Sequence, residues 1–258
     1  MRFEHHLDLV ALAVELKKRG DHKALVSAIQ RAADIGSIRD DLRHATSSLR
    51  IVREMGDSAM ARSEILEGED DEATIAGALF ISAIILYARA TFASDARMSL
   101  GDEVLSAEDK ATHDEVKMLR NSAIAHFGLG EGAKEGPIVR EAVIRSFNKK
   151  QYRYGVYTTR AQHKVELGAR MEQLVAARLD QVADKQQKLL DAVETRLNEA
   201  LKADEALGRQ LPSFRFDANR FCASPTAAKH MRTALATGDV GDANFTTAVR
   251  RPDANRAQ

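Results

Sequence analysis

The sequence predicts a mainly α fold: a helical bundle with a small β-hairpin, an N-terminal helical region and a long C-terminal helix. Three observations predict it. Helix-forming Ala, Leu, Arg, Glu and Lys are abundant among the 258 residues, while Pro numbers 4 and Trp is absent, a composition that favours helical bundles over sandwiches or barrels. Apolar residues recur at three- and four-residue spacing along most of the chain. One short stretch, from Val139 to Tyr157, alternates instead, as strands do.

The first segment, 1–69, reads as three or four short helices. Leu7, Val10, Leu12, Val14 and Leu16 mark the first, which Gly20-Asp21 stops. Leu25, Val26, Ile29 and Ala33 mark a second, ending at Gly36. A third starts at Ser37, carries Leu42, Leu49, Ile51 and Val52, and runs to Met55-Gly56; a fourth starts at Asp57 or Ser58 and reaches Leu66. Each boundary rests on glycine, the commonest helix terminator after proline.

The central segment, 70–208, is more distinctive. Acids at Glu69 to Glu72 favour a helix N-terminus, and Ile75, Leu79, Ile81, Ile84, Ile85 and Leu86 follow, apolar nearly all round, to an end near 93–97. After a polar loop, Ser106-Ala107-Glu108-Asp109 fits a capping box for a helix burying Val116, Leu119, Ala123 and Ile124, which delivers His126 just before Gly128, Gly130 and Gly132. A hairpin follows at about 139–158, with Asn148-Lys149-Lys150 as its turn. A helix of forty or more residues is expected at about 159–207, because Met171, Leu174, Val175, Leu179, Val182, Leu189, Val193, Leu197 and Leu201 keep coiled-coil spacing. Such a helix is too long for one small bundle, so its far half is expected to meet other helices or another chain. The last segment, 209–258, with Pro212, Pro225 and Pro252, reads as a loosely ordered tail apart from a short helix at Thr226 to Ala236.

Formal charge is zero, so any surface for a polyanion must be local. Cys222 is the single cysteine, which excludes an intramolecular disulfide framework. The N-terminal Met1-Arg2-Phe3-Glu4-His5-His6 is charged where a secretory signal is apolar. The longest uncharged apolar stretch, Ile75 to Leu86, is twelve residues, short of a membrane span. A cytoplasmic setting without membrane attachment is expected. His5, His6, His22, His44, His163 and His230 show no zinc-ligand spacing, and Gly128-Leu129-Gly130-Glu131-Gly132 lacks the Lys-Ser/Thr of a phosphate loop, so no metal and no cofactor are expected.

Chemistry concentrates in Arg120-Asn121-Ser122-Ala123-Ile124-Ala125-His126. An arginine holds phosphate through parallel hydrogen bonds, and a histidine exchanges a proton near neutral pH. The phrase from Val116 to Gly128, VKMLRNSAIAHFG, resembles the HEPN superfamily (higher eukaryotes and prokaryotes nucleotide-binding domains), whose motif is an arginine, a polar residue and a histidine with four to six residues between Arg and His. Arg120, Asn121 and His126 match with five between. The context resembles the family too: an apolar helix ending in Tyr87-Ala88-Arg89, a loop, then a helix entering the motif. The resemblance spans about 70–200.

The resemblance implies an all-α bundle pairing as a homodimer, with two motifs meeting across the interface. It implies a metal-independent endoribonuclease acting on RNA, with an antitoxin or a phage-defence protein as further partner. Other members have lost activity and serve as binding or dimerisation modules. On the catalytic reading His126 exchanges the protons, Arg120 stabilises the charge growing on phosphorus, and Asn121 orients the phosphate or the imidazole. Residues six apart lie about 120° around an ideal α-helix, so Arg120 and His126 do not share a face. A long Arg reach, a distorted helix or a second chain must close the gap.

Other residues join this set. Arg145, Lys149, Lys150, Tyr152, Arg153 and Tyr154 interleave cations with aromatic rings on the hairpin, as RNA contact requires, although basic hairpins also serve as solvated, aggregation-resistant edges. Arg89 and His113 are supporting candidates, although His113 fits a surface position better. The bland alternative to the motif is a cation and a histidine favoured by the dipole of a helix end. That reading leaves a noncatalytic interaction module, or a helical regulator unrelated to HEPN.

Overall fold

The structure, a computed structural model, describes residues 6–61, 71–92, 98–101, 105–121, 134–136, 139–148, 151–160, 164–222 and 224–237. Its elements run α1 (Leu9–Arg19), α2 (Lys23–Ala61), α3 (Asp71–Thr91), α4 (Ala107–Leu119), β1 (Val139–Asn148), β2 (Gln151–Arg160), α5 (Val165–Ala203), α6 (Glu205–Gln210), a 3-10 turn (Leu211–Ser213), α7 (Ala218–Phe221) and α8 (Pro225–Ala236). The fold is mainly helical with one two-stranded antiparallel hairpin and a long helix after it. Two compact units divide the chain, Met1–Ala33 with Leu190–Gln258 and Asp34–Leu189. Their boundaries fall inside α2 and α5, and not at the expected 69/70 and 208/209.

In the first unit, Asp8 accepts the Ala11 N–H to start α1, and Gly20 at φ 76° closes it by donating to Leu16 and Lys17 carbonyls, a left-handed cap that glycine adopts without Cβ strain. Leu12, Leu16, Leu25 and Ile29 bury against Val193, Ala200, Leu207 and Leu211. The far half of the long helix therefore packs on helices of its own chain. The tail is more ordered than expected through Thr237. Leu211 joins that core, and Ala218, Cys222, Ala227 and Ala228 form a second cluster beneath α8. Asp204, which caps α6, has its carboxyl lowered by the hydrogen bond from His22 and by the Leu207 and Ala206 amides.

In the second unit, the expected stops at Gly36 and Gly56 are overruled, since α2 runs unbroken through both. The reason is a continuous buried stripe. Ile35, Ile38, Leu42, Ala45, Leu49 and Val52 are all buried, which outweighs the ~1 kcal/mol that an interior glycine costs a helix. α3 is longer than the twelve-residue apolar stretch suggests: its 21 residues include an 18-residue window of mean hydropathy 1.8, and half of that window is buried within the fold. By length and composition α3 could cross a membrane, as many core helices could. On its other side Ile75, Ile81 and Ile85 are exposed.

Polar ties join the helices of this unit. Arg89 on α3 grips Asp41 on α2 through Nε, at 2.7 Å, and Nη2. Arg53 meets Glu172 at 2.9 Å and Arg39 meets Gln186 at 3.0 Å, both linking α2 to α5. Arg178, fully buried on α5, donates to the Gly101 carbonyl at 2.6 Å.

Candidate functional site

The helix that carries the motif is fixed at its start by the expected cap. Ser106 Oγ accepts the Asp109 N–H at 3.1 Å and donates to the Asp109 carboxylate at 2.7 Å. Its buried face presents Thr112, His113, Glu115, Val116 and Leu119. Three of these are polar, and His113 and Glu115 are anchors.

His113 is 2% exposed and shares a 2.8 Å hydrogen bond between Nδ1 and the Tyr87 hydroxyl. Its ring also sits edge-on to Tyr87 and Phe92, at centroid distances of 5.8 and 5.2 Å. The supporting role and the surface reading of His113 are both corrected. It is a core residue that locks α4 to α3, because burying an imidazole requires a partner for its ring nitrogen. Arg89, the other supporting candidate, engages Asp41, and that hydrogen bond raises its already high pKa. It ties α3 to α2.

Glu115 is the anchor the sequence reading missed. Its carboxylate accepts Arg170 Nη1 at 2.7 Å and the Lys134 backbone N–H at 3.1 Å. Burial alone would raise this carboxyl. The Arg170 hydrogen bond, the Lys134 amide and the charges of Arg170 and Lys134 outweigh burial and hold it below the usual carboxylate range. The pair binds α4 to α5 and also to the chain returning after the motif. Two residues of that return secure the next elements: Glu135 accepts the Leu167 N–H at 2.7 Å, capping α5, and the Gly136 carbonyl accepts Lys164 Nζ at 2.6 Å, closing the root of the hairpin. The missed signal was position, since Glu115 stands on the same stripe as Thr112, Val116 and Leu119.

At the end of α4 the helix widens to a π-type turn through Arg120 and Asn121, a rare geometry found often at functional sites. The backbone N–H of Arg120 is shared between the Lys117 and Val116 carbonyls. Both side chains are exposed, and Arg120 Nη1 donates to Asn121 Oδ1 at 2.9 Å. No carboxylate among the described residues pairs with Arg120. Among the described residues the guanidinium is thus held by a neutral neighbour alone. His126 lies outside the described residues, as do Lys149 and Lys150. Compared with protein-family models, with curated proteins and with solved structures, the chain matches none.

The hairpin register divides the expected RNA-contacting residues. Arg145 pairs with Tyr154, Phe147 with Tyr152 and Ser146 with Arg153, and directly opposed residues share a face while neighbours along a strand do not. Arg145, Tyr152 and Tyr154 therefore stand on one face and Arg153 on the other. On the first face the Arg145 guanidinium carbon lies 3.5 Å from the Tyr152 ring centroid and 6.0 Å from that of Tyr154, close enough for cation–π attraction to both. Phe147 and Tyr152 rings meet at 5.0 Å.

Proposed function

We propose that the chain is a metal-independent endoribonuclease of HEPN type, acting through Arg120 and His126. The observation that carries this reading is the exposed guanidinium at the end of α4, fixed in place by Asn121 and uncancelled by any carboxylate of the described residues. Surface arginines kept for stability are commonly spent on ion pairs, as Arg50, Arg53 and Arg196 are here. An arginine held by an amide keeps its full charge for an anion.

The chemistry follows from the two side chains. His126 takes the proton of a ribose 2′-hydroxyl; the 2′-oxygen attacks the adjacent phosphorus, and the bond to the 5′-oxygen breaks as that oxygen gains a proton. The products are a 2′,3′-cyclic phosphate and a 5′-hydroxyl. Arg120 stabilises the charge that grows on the non-bridging oxygens. Asn121 acts on Arg120 and not directly on the phosphate, so it is a positioning residue. The π-type turn at Arg120 and Asn121 departs from the ideal helix to which the 120° offset applies. Pairing of two chains is part of this proposal, and the exposed Ile75, Ile81 and Ile85 of α3 supply an apolar stripe that supports it. The same stripe favours a second reading, a noncatalytic dimerisation module.

The test is incubation of pure protein with RNA in excess EDTA, beside His126→Ala and Arg120→Ala. The wild type should leave cyclic-phosphate ends, and each variant should lose at least ~100-fold in rate, the usual worth of proton transfer or transition-state charge stabilisation. No cleavage by the wild type, or cleavage by both variants at the wild-type rate, refutes the catalytic reading and leaves the module.

A further inference from the structure

An isolated two-stranded hairpin is marginally stable in water, and this one leaves large side chains in solvent. Phe147 is 66% exposed, Tyr152 57%, Tyr154 70% and Val156 77%. Such a face is built to be covered. Its chemistry selects the cover: the hairpin as a whole, residues 139–160, contains Arg140, Arg145, Lys149, Lys150, Arg153 and Arg160 against Glu141 alone, with Arg145 on this face and Arg140 and Arg153 on the opposite one. A second copy of the same hairpin would bring like charge onto like charge, whereas a polyanion is complementary.

We propose that the hairpin face carrying Arg145, Tyr152 and Tyr154 holds single-stranded RNA by stacking its bases. The choice of RNA rests on the proposed chemistry at Arg120 and His126; the stacking face stands on its own geometry. Tyr152 and Tyr154 project from alternate positions of β2, about 6.8 Å apart at ~3.4 Å per residue. Bases within a duplex strand are only ~3.4 Å apart along the axis and turn no ring face outward, so rings at twice that interval fit a splayed strand and not a helix. The Arg145 guanidinium carbon lies 3.5 Å from the Tyr152 centroid and 6.0 Å from that of Tyr154, so Tyr154 keeps the more open ring. The outer plane of the guanidinium becomes a second stacking surface, and its N–H edges can reach a phosphate. The single hairpin carboxylate, Glu141, stands four residues along β1 from Arg145, about 14 Å at the same rise, and does not compete for it. The root of the hairpin is bound to Glu115 through the Lys134 amide, and Glu115 precedes Arg120 by five residues, about 7.5 Å of helix rise.

Binding is measured by fluorescence anisotropy with a labelled uridine 12-mer on the His126→Ala protein, so that the probe stays whole. Tyr154→Ala should weaken binding roughly fivefold to a hundredfold, the usual worth of one stacked base, and Arg145→Gln should weaken it and flatten its salt dependence. Tyr157→Ala, on the opposite face, should stay within about twofold, and a 12-base-pair RNA duplex should bind at least about tenfold more weakly than the single strand. Unchanged binding by Tyr154→Ala, equal loss with Tyr157→Ala, or a change of oligomeric state without loss of RNA overturns the proposal. Because binding is read without cleavage, a wild type that binds through this face but leaves RNA uncut refutes only the catalytic reading.

Discussion

Replacing Glu115 tests how the end of α4 is held. Its carboxylate is 5% exposed and takes two donors, Arg170 at 2.7 Å and the Lys134 amide at 3.1 Å. Glu115→Ala leaves a backbone N–H and a guanidinium without their acceptor inside the second unit. Removing one partner of a buried ion pair costs about 3–5 kcal/mol. Arg170 retains 20% side-chain exposure and recovers some hydration, which puts the expected loss near ~3 kcal/mol, or a fall in midpoint of about 6–12 °C for a unit of this size. Glu115→Gln keeps an oxygen for the Lys134 amide and loses only the charge, so about 1–2 kcal/mol is expected. The pH dependence has a definite sign. The folded carboxyl is held below its ordinary 4.5, so its contribution is fully present above that value and disappears as pH falls through the folded-state value. Urea unfolding at pH 7 and then at successively lower pH should show the gap between wild type and Glu115→Gln closing below pH 4.5. The gap should stay constant above it. Hydrogen exchange should show the Lys134 amide losing protection in Glu115→Ala. A Glu115→Ala protein within ~0.5 kcal/mol of wild type at pH 7, the range of ordinary surface substitutions, refutes this account of how α4 is anchored.

Two further predictions concern α2. Gly36 lies inside the helix, and a Cβ added there meets no atom within 4 Å, so Gly36→Ala should raise the urea-derived stability by up to ~1 kcal/mol; a loss would mean that the glycine serves a packing role. The Arg89–Asp41 pair is asymmetric, with side chains 59% and 3% exposed. Arg89→Ala should therefore cost more, about 2–3 kcal/mol, than Asp41→Asn at about 1 kcal/mol, because only the former removes a counter-charge from a buried carboxylate that stays ionised. Equal losses in thermal melts would contradict the burial argument.

Where local chemistry settles the outcome, the sequence is legible. Gly20 as a helix stop, Ser106 as a cap and the alternation from Val139 all work within a few residues, and each forms as expected. Gly36 and Gly56 misled because a glycine weakens a helix locally, while the decision to continue was made by the buried stripe from Ile35 to Val52. His113 was unreadable for a related reason. Its polarity suggests solvent, and the Tyr87 hydroxyl that permits burial lies 26 residues away on another helix. The hairpin cations looked like one group in the sequence, but strand pairing splits Arg153 from Arg145. Asn121 was recognisable as part of a motif, yet its partner turned out to be the adjacent Arg120, a geometry that spacing alone does not reveal.

The first unit is made from both ends of the chain, and this sets an order of events during synthesis. Arg19 bonds Gln210 across 191 residues, and Leu12, Leu16, Leu25 and Ile29 find cover only from Val193 onward. At ~5–20 residues per second, a ribosome needs about 10–40 s to supply that cover. During that interval the contiguous stretch Asp34–Leu189 can fold, while α1 waits with its apolar stripe open. Elongation pauses, or a chaperone that binds nascent apolar segments, would therefore act on α1, which is made long before the residues it packs against.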